Sequence, residues 1–135
     1  MRRESPVVSY FLASVKPYTM FLELSHTKLD IFKVSKTLAL SCYKETKAFP
    51  AEEKFGIVQQ IRRAALSVHL NIAEGCSGKS PRERKRFYEV ARGSVIEIDS
   101  ALDISVDLNY LSKEKLAELG QLLVRTFQMI SKMIS

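Results

Sequence analysis

The stretch Gly75-Cys76-Ser77-Gly78-Lys79-Ser80 ends like a phosphate-binding loop, so chemistry is sought there first. A phosphate loop of the form Gly-x-x-x-x-Gly-Lys-Ser requires glycine at position 73, where this chain has Ala73, and it must follow a strand. Here a helical periodicity precedes it, and capping with chain reversal explains the residues. Metal chemistry has even less to work with. Di-iron bundles take Glu-x-x-His pairs from two helices, and His26 and His69, the chain's two histidines, belong to no such pair. Cys42 falls on an apolar helical face and reads as a small buried hydrophobe. Cys76 lies in the glycine-rich connection with no His or acid spaced to activate it. Asp99, Asp103 and Asp107, four apart, share a helix face, and Glu97 sits between Ile96 and Ile98. An acid/base pair among them would need a substrate pocket that no pattern supplies. The structural reading pairs Glu97 with Arg62 or Arg63 of a neighbouring helix. The expectation is a protein that is not an enzyme, with no cofactor and no metal.

The basic cluster is the feature that supports a functional reading. Lys79, Arg82, Arg84, Lys85 and Arg86 crowd one helix start, with Arg92 further along. Cations at a helix N-terminus oppose the macrodipole and cost stability, which Glu83 offsets in part. Residues 54–92 hold nine Lys/Arg against three Asp/Glu, while residues 93–135 hold four against six. The chain's net charge of +6 is therefore a mid-chain feature, of the kind that suits a polyanion. Phe87 and Tyr88 are the aromatics at hand for base stacking, so contact with RNA or DNA should be backbone-directed and sequence-tolerant. The alternative is an adaptor whose positive face meets an acidic protein.

Four periodic segments must position these groups. Asp30 caps a first helix to Lys47, with Ile31, Val34, Leu38 and Cys42 inward and Ala39 and Tyr43 beside them. Lys33, Lys36, Lys44 and Lys47 lie mostly off that stripe. Phe49-Pro50 ends the element, and Glu52 and Glu53 suit the start of a second helix running to about Glu74. Its apolar face is Ile57, Ile61, Ala64, Ala65, Val68 and Ile72, and Gly75 or Gly78 can close it with positive φ. Asn71 is placed to bond the open carbonyls at that end, and Glu74 to reach the amides that start the next helix. Ser80-Pro81-Arg82-Glu83 announces the third helix by a capping box with proline at its first position, and this helix runs to about Leu108. Its inward face is Phe87, Val90, Ala91, Ser94, Val95, Ile98, Ala101, Leu102 and Ser105. Gly93 within it marks close approach of another backbone. Asn109-Tyr110 turns the chain, and Ser112 caps a fourth helix with Leu116, Leu119, Leu123, Phe127, Ile130 and Ile134 as its stripe. Leu122, Val124 and Met129 fall outside it and offer apolar surface for self-association. The fold class is all-α, an antiparallel up-down-up-down four-helix bundle.

Gln60-Ile61-Arg62-Arg63-Ala64-Ala65, Asn71-Ile72-Ala73-Glu74-Gly75 and Gly93-Ser94-Val95-Ile96-Glu97-Ile98 resemble the signature blocks of a four-helix-bundle family. That family is named for proteins encoded in intervening sequences of bacterial 23S ribosomal RNA, and the similarity extends from about Leu29 to the C-terminus. The resemblance implies a small helical bundle, ring-shaped homopentamers and no catalytic activity. Arg62, Arg63, Asn71, Glu74, Gly75 and Glu97, which fall within these blocks, are expected to have structural roles by the readings given above. A related branch, the accessory variability protein of diversity-generating retroelements, is a basic pentamer that binds nucleic acid and a reverse transcriptase. His69 departs from the pattern by standing where relatives usually carry a proline, which puts a kink in the second helix in doubt.

Residues 1–28 form the least legible part, expected to be a poorly ordered or over-annotated extension ahead of a bundle domain at 29–135. Arg2-Arg3 followed by Val7–Val15 imitates a signal peptide, but Ser9, Ser14 and Lys16-Pro17 spoil the pattern. Two cysteines in a helical chain need no disulfide framework, and a cytoplasmic location is expected. No run approaches a membrane span of ~18–20 apolar residues.

Overall fold

The computed structural model describes Leu22, Leu24 and residues 29–135. The expectation for residues 1–28 lies, those two leucines apart, outside the described residues. Four helices account for most of the rest: α1 (Asp30–Thr46), α2 (Ile57–Cys76), α3 (Pro81–Asp107) and α4 (Lys113–Ile134). No strand occurs among the described residues. Each helix packs against the next, and α1 packs against α4, so the four close around one core with α1 diagonal to α3. Side-chain pairs run in opposite order along neighbouring helices. Ser35 meets His69 where Thr46 meets Arg62, and Tyr88 meets Gly75 where Ser94 meets Ser67. That is the order antiparallel neighbours with short connections must show.

The core is aliphatic. Leu38, Ile61, Val68, Ile72, Ile98 and Ile130 are sealed from solvent, one or more from every helix. Cys42 lies among them, and burial pushes its thiol up to about 12. Each buried aliphatic side chain contributes roughly 1.5–3 kcal/mol through removal of apolar surface from water. Small polar groups are admitted where they bond a backbone carbonyl. Thr46 donates to Cys42 O at 2.7 Å, Ser105 to Ala101 O at 2.7 Å and Thr126 to Leu122 O at 2.6 Å.

Several local expectations change. Leu29, not Asp30, is the N-cap of α1, and no side chain caps that end; Asp30 is the first helical residue, where its charge still suits the dipole. Glu52 and Glu53 belong to a separate 3-10 turn, Ala51–Glu53, and α2 begins only at Ile57, after Gly56 breaks the path at φ −107°, ψ −114°. Neither Gly75 nor Gly78 has positive φ. Gly75 is inside α2 because the Tyr88 ring lies on its Cα: a Cβ there would sit 2.7 Å from Tyr88 Cδ1. Tyr88, not Phe87 or Val90, is the large inward side chain at the start of α3, and Val90 is exposed. Among the described residues a Cβ on Gly93 would meet nothing within 4 Å, so none of their backbone approaches it closely. On α4 the fourth core position is Thr126 in place of Phe127, while Leu122 and Met129 pack partly against the core; of the three apolar extras, Val124 is exposed. The left-handed residue is Asn109, at φ 61°, which turns the chain after α3 so that Tyr110 N reaches Ser105 O at 2.9 Å.

The α1–α2 seam carries two polar ties. Arg62 donates from Nε to Thr46 Oγ1 at 3.0 Å and from Nη2 to Tyr43 O at 3.2 Å, with its guanidinium 4.8 Å from the Tyr43 ring centre. Further along, Ser35 Oγ lies 2.7 Å from His69 Nδ1, and the imidazole sits 4.3 Å from the Phe32 ring, centre to centre. α2 is continuous through His69, so the position carries no kink-forming residue and no break.

Candidate nucleic-acid interface

The basic cluster is built by the α2–α3 turn. Ser80 is extended, at φ −126°, ψ 155°, and its hydroxyl accepts from Glu83 N at 3.1 Å; Glu83 Oε1 reaches back toward Lys79 N at 3.4 Å. The capping box expected from Ser80-Pro81-Arg82-Glu83 is formed on the serine side, while Glu83 takes the amide of Lys79, one residue ahead of the cap, in place of Ser80 N; Pro81 occupies the first helical position at no hydrogen-bond cost. This box fixes the direction in which α3 leaves the turn, and with it the side chains of its first two turns.

The structure sorts the cluster into two kinds of cation. Arg84 turns back and donates from Nη1 to Gly78 O at 3.1 Å, half-buried over the loop it closes. Arg92 reaches across to α4, 3.5 Å from Ser131 Oγ, with its guanidinium 6.0 Å from the Phe127 ring centre. These two hold the fold. Lys79, Arg82, Lys85 and Arg86 are exposed, and among the described residues none of the four side chains enters an ion pair. Arg86 lies along the Phe87 ring at 5.4 Å, and a shallow groove lined by Arg82, Lys85, Arg86 and Phe87 with Ser80, Glu83 and Glu89 runs beside it. Glu83 and Glu89 temper the potential there without cancelling it.

All four free cations stand at the positive end of α3, where the helix adds roughly half a further elementary charge. The other four carboxylates of the same helix, Glu97, Asp99, Asp103 and Asp107, lie in its C-terminal half, Asp103 and Asp107 nearest its negative end, and are all exposed. Charge and dipole thus reinforce one another at both ends, against the sense that stabilises a helix. The arrangement favours an anion at the α2–α3 turn. It offers no enclosed pocket, no nucleophile beside a base and, among the described residues, no group of three or more His, Cys, Asp or Glu that could hold a metal ion.

The structural residues fall differently from their expected partners. Glu97 forms no pair with Arg62 or Arg63: Glu97 and Arg63 are exposed, and Arg62 points the other way, toward α1. The ion pair among the described residues is Lys115–Glu45, at 3.6 Å. Asn71 bonds Ser67 O at 2.8 Å and Ser67 Oγ at 3.1 Å, one turn back, not the open carbonyls at the end of α2. Ser67 in turn takes Ser94 Oγ at 2.8 Å, so the asparagine secures the α2–α3 contact. Glu74 is exposed and does not reach the amides of α3, because Ser80 and Glu83 already serve that end. Gly75 has its role in the Tyr88 contact, and Tyr88 Oη donates toward Cys76 Sγ at 3.6 Å. Burial, and then that bond, push the Tyr88 hydroxyl up to about 12. Tyr43, Thr46, Ser67 and Ser94 were not singled out from sequence as polar partners. A small hydroxyl on an apolar helical face is the signal for the last three.

An all-α four-helix bundle with an exposed basic helix start is the class of protein these observations define. The chain belongs to the family described as 23S rRNA-intervening sequence protein, which it matches over residues 27–132. Its fold is similar to a crystal structure at 1.70 Å of a protein of unknown function from the S23 ribosomal protein family of Bacteroides thetaiotaomicron. The two superpose with a TM-score of 0.71 at 18% identity, covering 78% of this chain and 98% of the other. No curated protein matches the chain.

Proposed function

We propose that the protein is a non-enzymatic, oligomeric nucleic-acid-binding protein of the cytoplasm that contacts RNA or DNA backbone through Lys79, Arg82, Lys85 and Arg86. The observation that carries this reading is their exposure, without an ion-pair partner among the described residues, at the helix end where cations are least stable. Each placement of this kind costs about 0.3–1 kcal/mol, which phosphate contact would more than offset. The resemblance to pentameric relatives supplies the oligomer, proposed as a cyclic homopentamer. It also supplies a reverse transcriptase as a candidate partner beside the nucleic acid. In such a ring the patch repeats around the axis, so one polyanion engages several copies at high effective concentration. No helix among the described residues is long and apolar enough to cross a membrane.

The test is a titration of wild type and a variant carrying Lys79→Gln, Arg82→Gln, Lys85→Gln and Arg86→Gln against fluorescent single- and double-stranded oligonucleotides at low salt. Arg84 is left in place because it closes the turn. Wild type should bind with affinity that rises with oligonucleotide length, hardly varies with sequence and falls steeply with salt. The variant should lose binding with its helicity intact. If neither binds, or both bind equally, the cluster serves an acidic protein partner or solubility alone.

A further inference from the structure

Two stripes on opposite sides of the bundle match each other in length and oppose each other in charge. On α1 and its C-cap residue Lys47, Lys33, Lys36, Leu40, Lys44 and Lys47 recur at three- and four-residue steps and are all exposed, Leu40 at 61%. On α3, Gly93, Glu97, Ser100, Asp103, Ile104 and Asp107 do the same, with Ile104 at 53%. Each stripe covers fourteen residue steps, about 21 Å of helix. Among the described residues, no side chain of these four lysines or three carboxylates forms an ion pair or hydrogen bond. From Gly93 to Asp107 there is no Lys or Arg at all. Leu40 and Ile104 are apolar side chains set within charged surroundings, the pattern of a contact with a dry centre and a polar rim.

We propose that the α1 lysine stripe of one copy packs along the α3 acidic stripe of the next, forming the seam of the oligomer. The inference rests on the oligomeric part of the function proposed above, and adds which surfaces meet. Charge complementarity selects a second copy, since each stripe finds its opposite on the same chain. Gly93 and Ser100 leave the α3 stripe low, and among the described residues nothing lies within 4 Å of where a Cβ on Gly93 would stand. A neighbour's helix can therefore approach closely there, with Leu40 as the side chain that inserts. Because α1 and α3 are diagonal in the bundle, one pair of copies cannot satisfy both stripes at once. Each copy offers its lysines to one neighbour and its carboxylates to the other, a heterologous contact of the kind a ring requires. The basic α2–α3 turn is no part of this seam and stays available.

Size exclusion with light scattering on the full chain tests this, with circular dichroism as the check on folding. Wild type should be a multimer whose mass falls as salt rises. Lys36→Glu with Lys44→Glu, and separately Asp103→Lys with Asp107→Lys, should each lose the assembly. The chain carrying all four reversals should regain it, because the stripes again oppose. Where a reversal lowers helicity, the neutral pairs Lys36→Gln with Lys44→Gln and Asp103→Asn with Asp107→Asn should weaken assembly in the same direction. A monomeric wild type would overturn the seam together with the oligomeric reading. Multimeric variants of unchanged mass, salt-independent assembly, or a four-fold reversal that stays monomeric would overturn the seam alone. So would lysine reversals that abolish oligonucleotide binding while assembly persists.

Discussion

Replacing Gly75 by alanine tests the contact that joins the α2–α3 pair. Alanine is the better helix former by about 1 kcal/mol, and Gly75 is helical without positive φ, so propensity alone predicts a gain. Packing predicts the reverse. The new methyl would lie 2.7 Å from Tyr88 Cδ1 and 3.1 Å from Tyr88 Cζ, against an ordinary carbon–carbon contact of about 3.5–4.0 Å. The ring is buried and its hydroxyl is held by Cys76, so it must shift by about 1 Å or push the helices apart. Overpacking of this kind costs about 1–3 kcal/mol, which leaves a net loss of up to about 2 kcal/mol after the propensity gain. For a chain of this size that corresponds to a melting point lower by up to roughly 8 °C. Gly120→Ala is the matched control. A Cβ there meets nothing within 4 Å, so the same substitution should raise the melting point. A Tyr88→Leu background should remove the conflict and make Gly75→Ala neutral or favourable. Thermal melts followed by far-UV circular dichroism, at fixed protomer concentration, compare wild type, the three single variants and the Tyr88→Leu/Gly75→Ala double variant. If Gly75→Ala stabilises as Gly120→Ala does, the Tyr88 contact is not what demands glycine.

Arg62→Met should cost about 1–3 kcal/mol by urea denaturation, since it leaves Thr46 Oγ1 and Tyr43 O without their charged donor. Arg62→Lys should recover only part of this, because a lysine ammonium cannot span both acceptors with the arginine fork. At high pH two groups work against the fold. Cys42 and Tyr88, ordinarily 9.0 and 10.0, both stand near 12 in the folded state, so their contribution is intact below pH 9 and is lost progressively from there to pH 12. Denaturation midpoints should fall across that window, and Cys42→Ala should flatten the fall. By the same burial, a thiol reagent at pH 8 should spare Cys42 until the protein unfolds.

Helix existence and order were legible in the sequence because the apolar spacing is strong in all four segments. The α3 start was legible to the residue, since a capping box leaves little freedom. What sequence missed was the choice between adjacent apolar residues. Phe87 and Tyr88 fit the α3 period almost equally, and the gap over Gly75 decides for Tyr88. Thr126 replaces Phe127 for a similar reason: a threonine that bonds its own helix is apolar enough to seal a core. Pairings of long charged side chains were least legible. Arg62 was open to Glu97 by its spacing, but a buried seam offered it two fixed acceptors, while Glu97 remained in water. The basic cluster was visible as a charge run, and only the geometry separates Arg84 and Arg92, tied into the fold, from the four that are free.

Ser35 Oγ lies within hydrogen-bond distance of both Phe32 O, at 3.0 Å, and His69 Nδ1, at 2.7 Å, so one hydroxyl joins its own helix to the next. The seam thus asks position 69 for a side-chain nitrogen, and the unbroken α2 asks it for a backbone N–H. Proline, the residue expected there from the resemblance, supplies neither. In this chain the α1–α2 seam is therefore joined by a hydrogen bond that a proline at position 69 could not make, and α2 runs through that position unbroken.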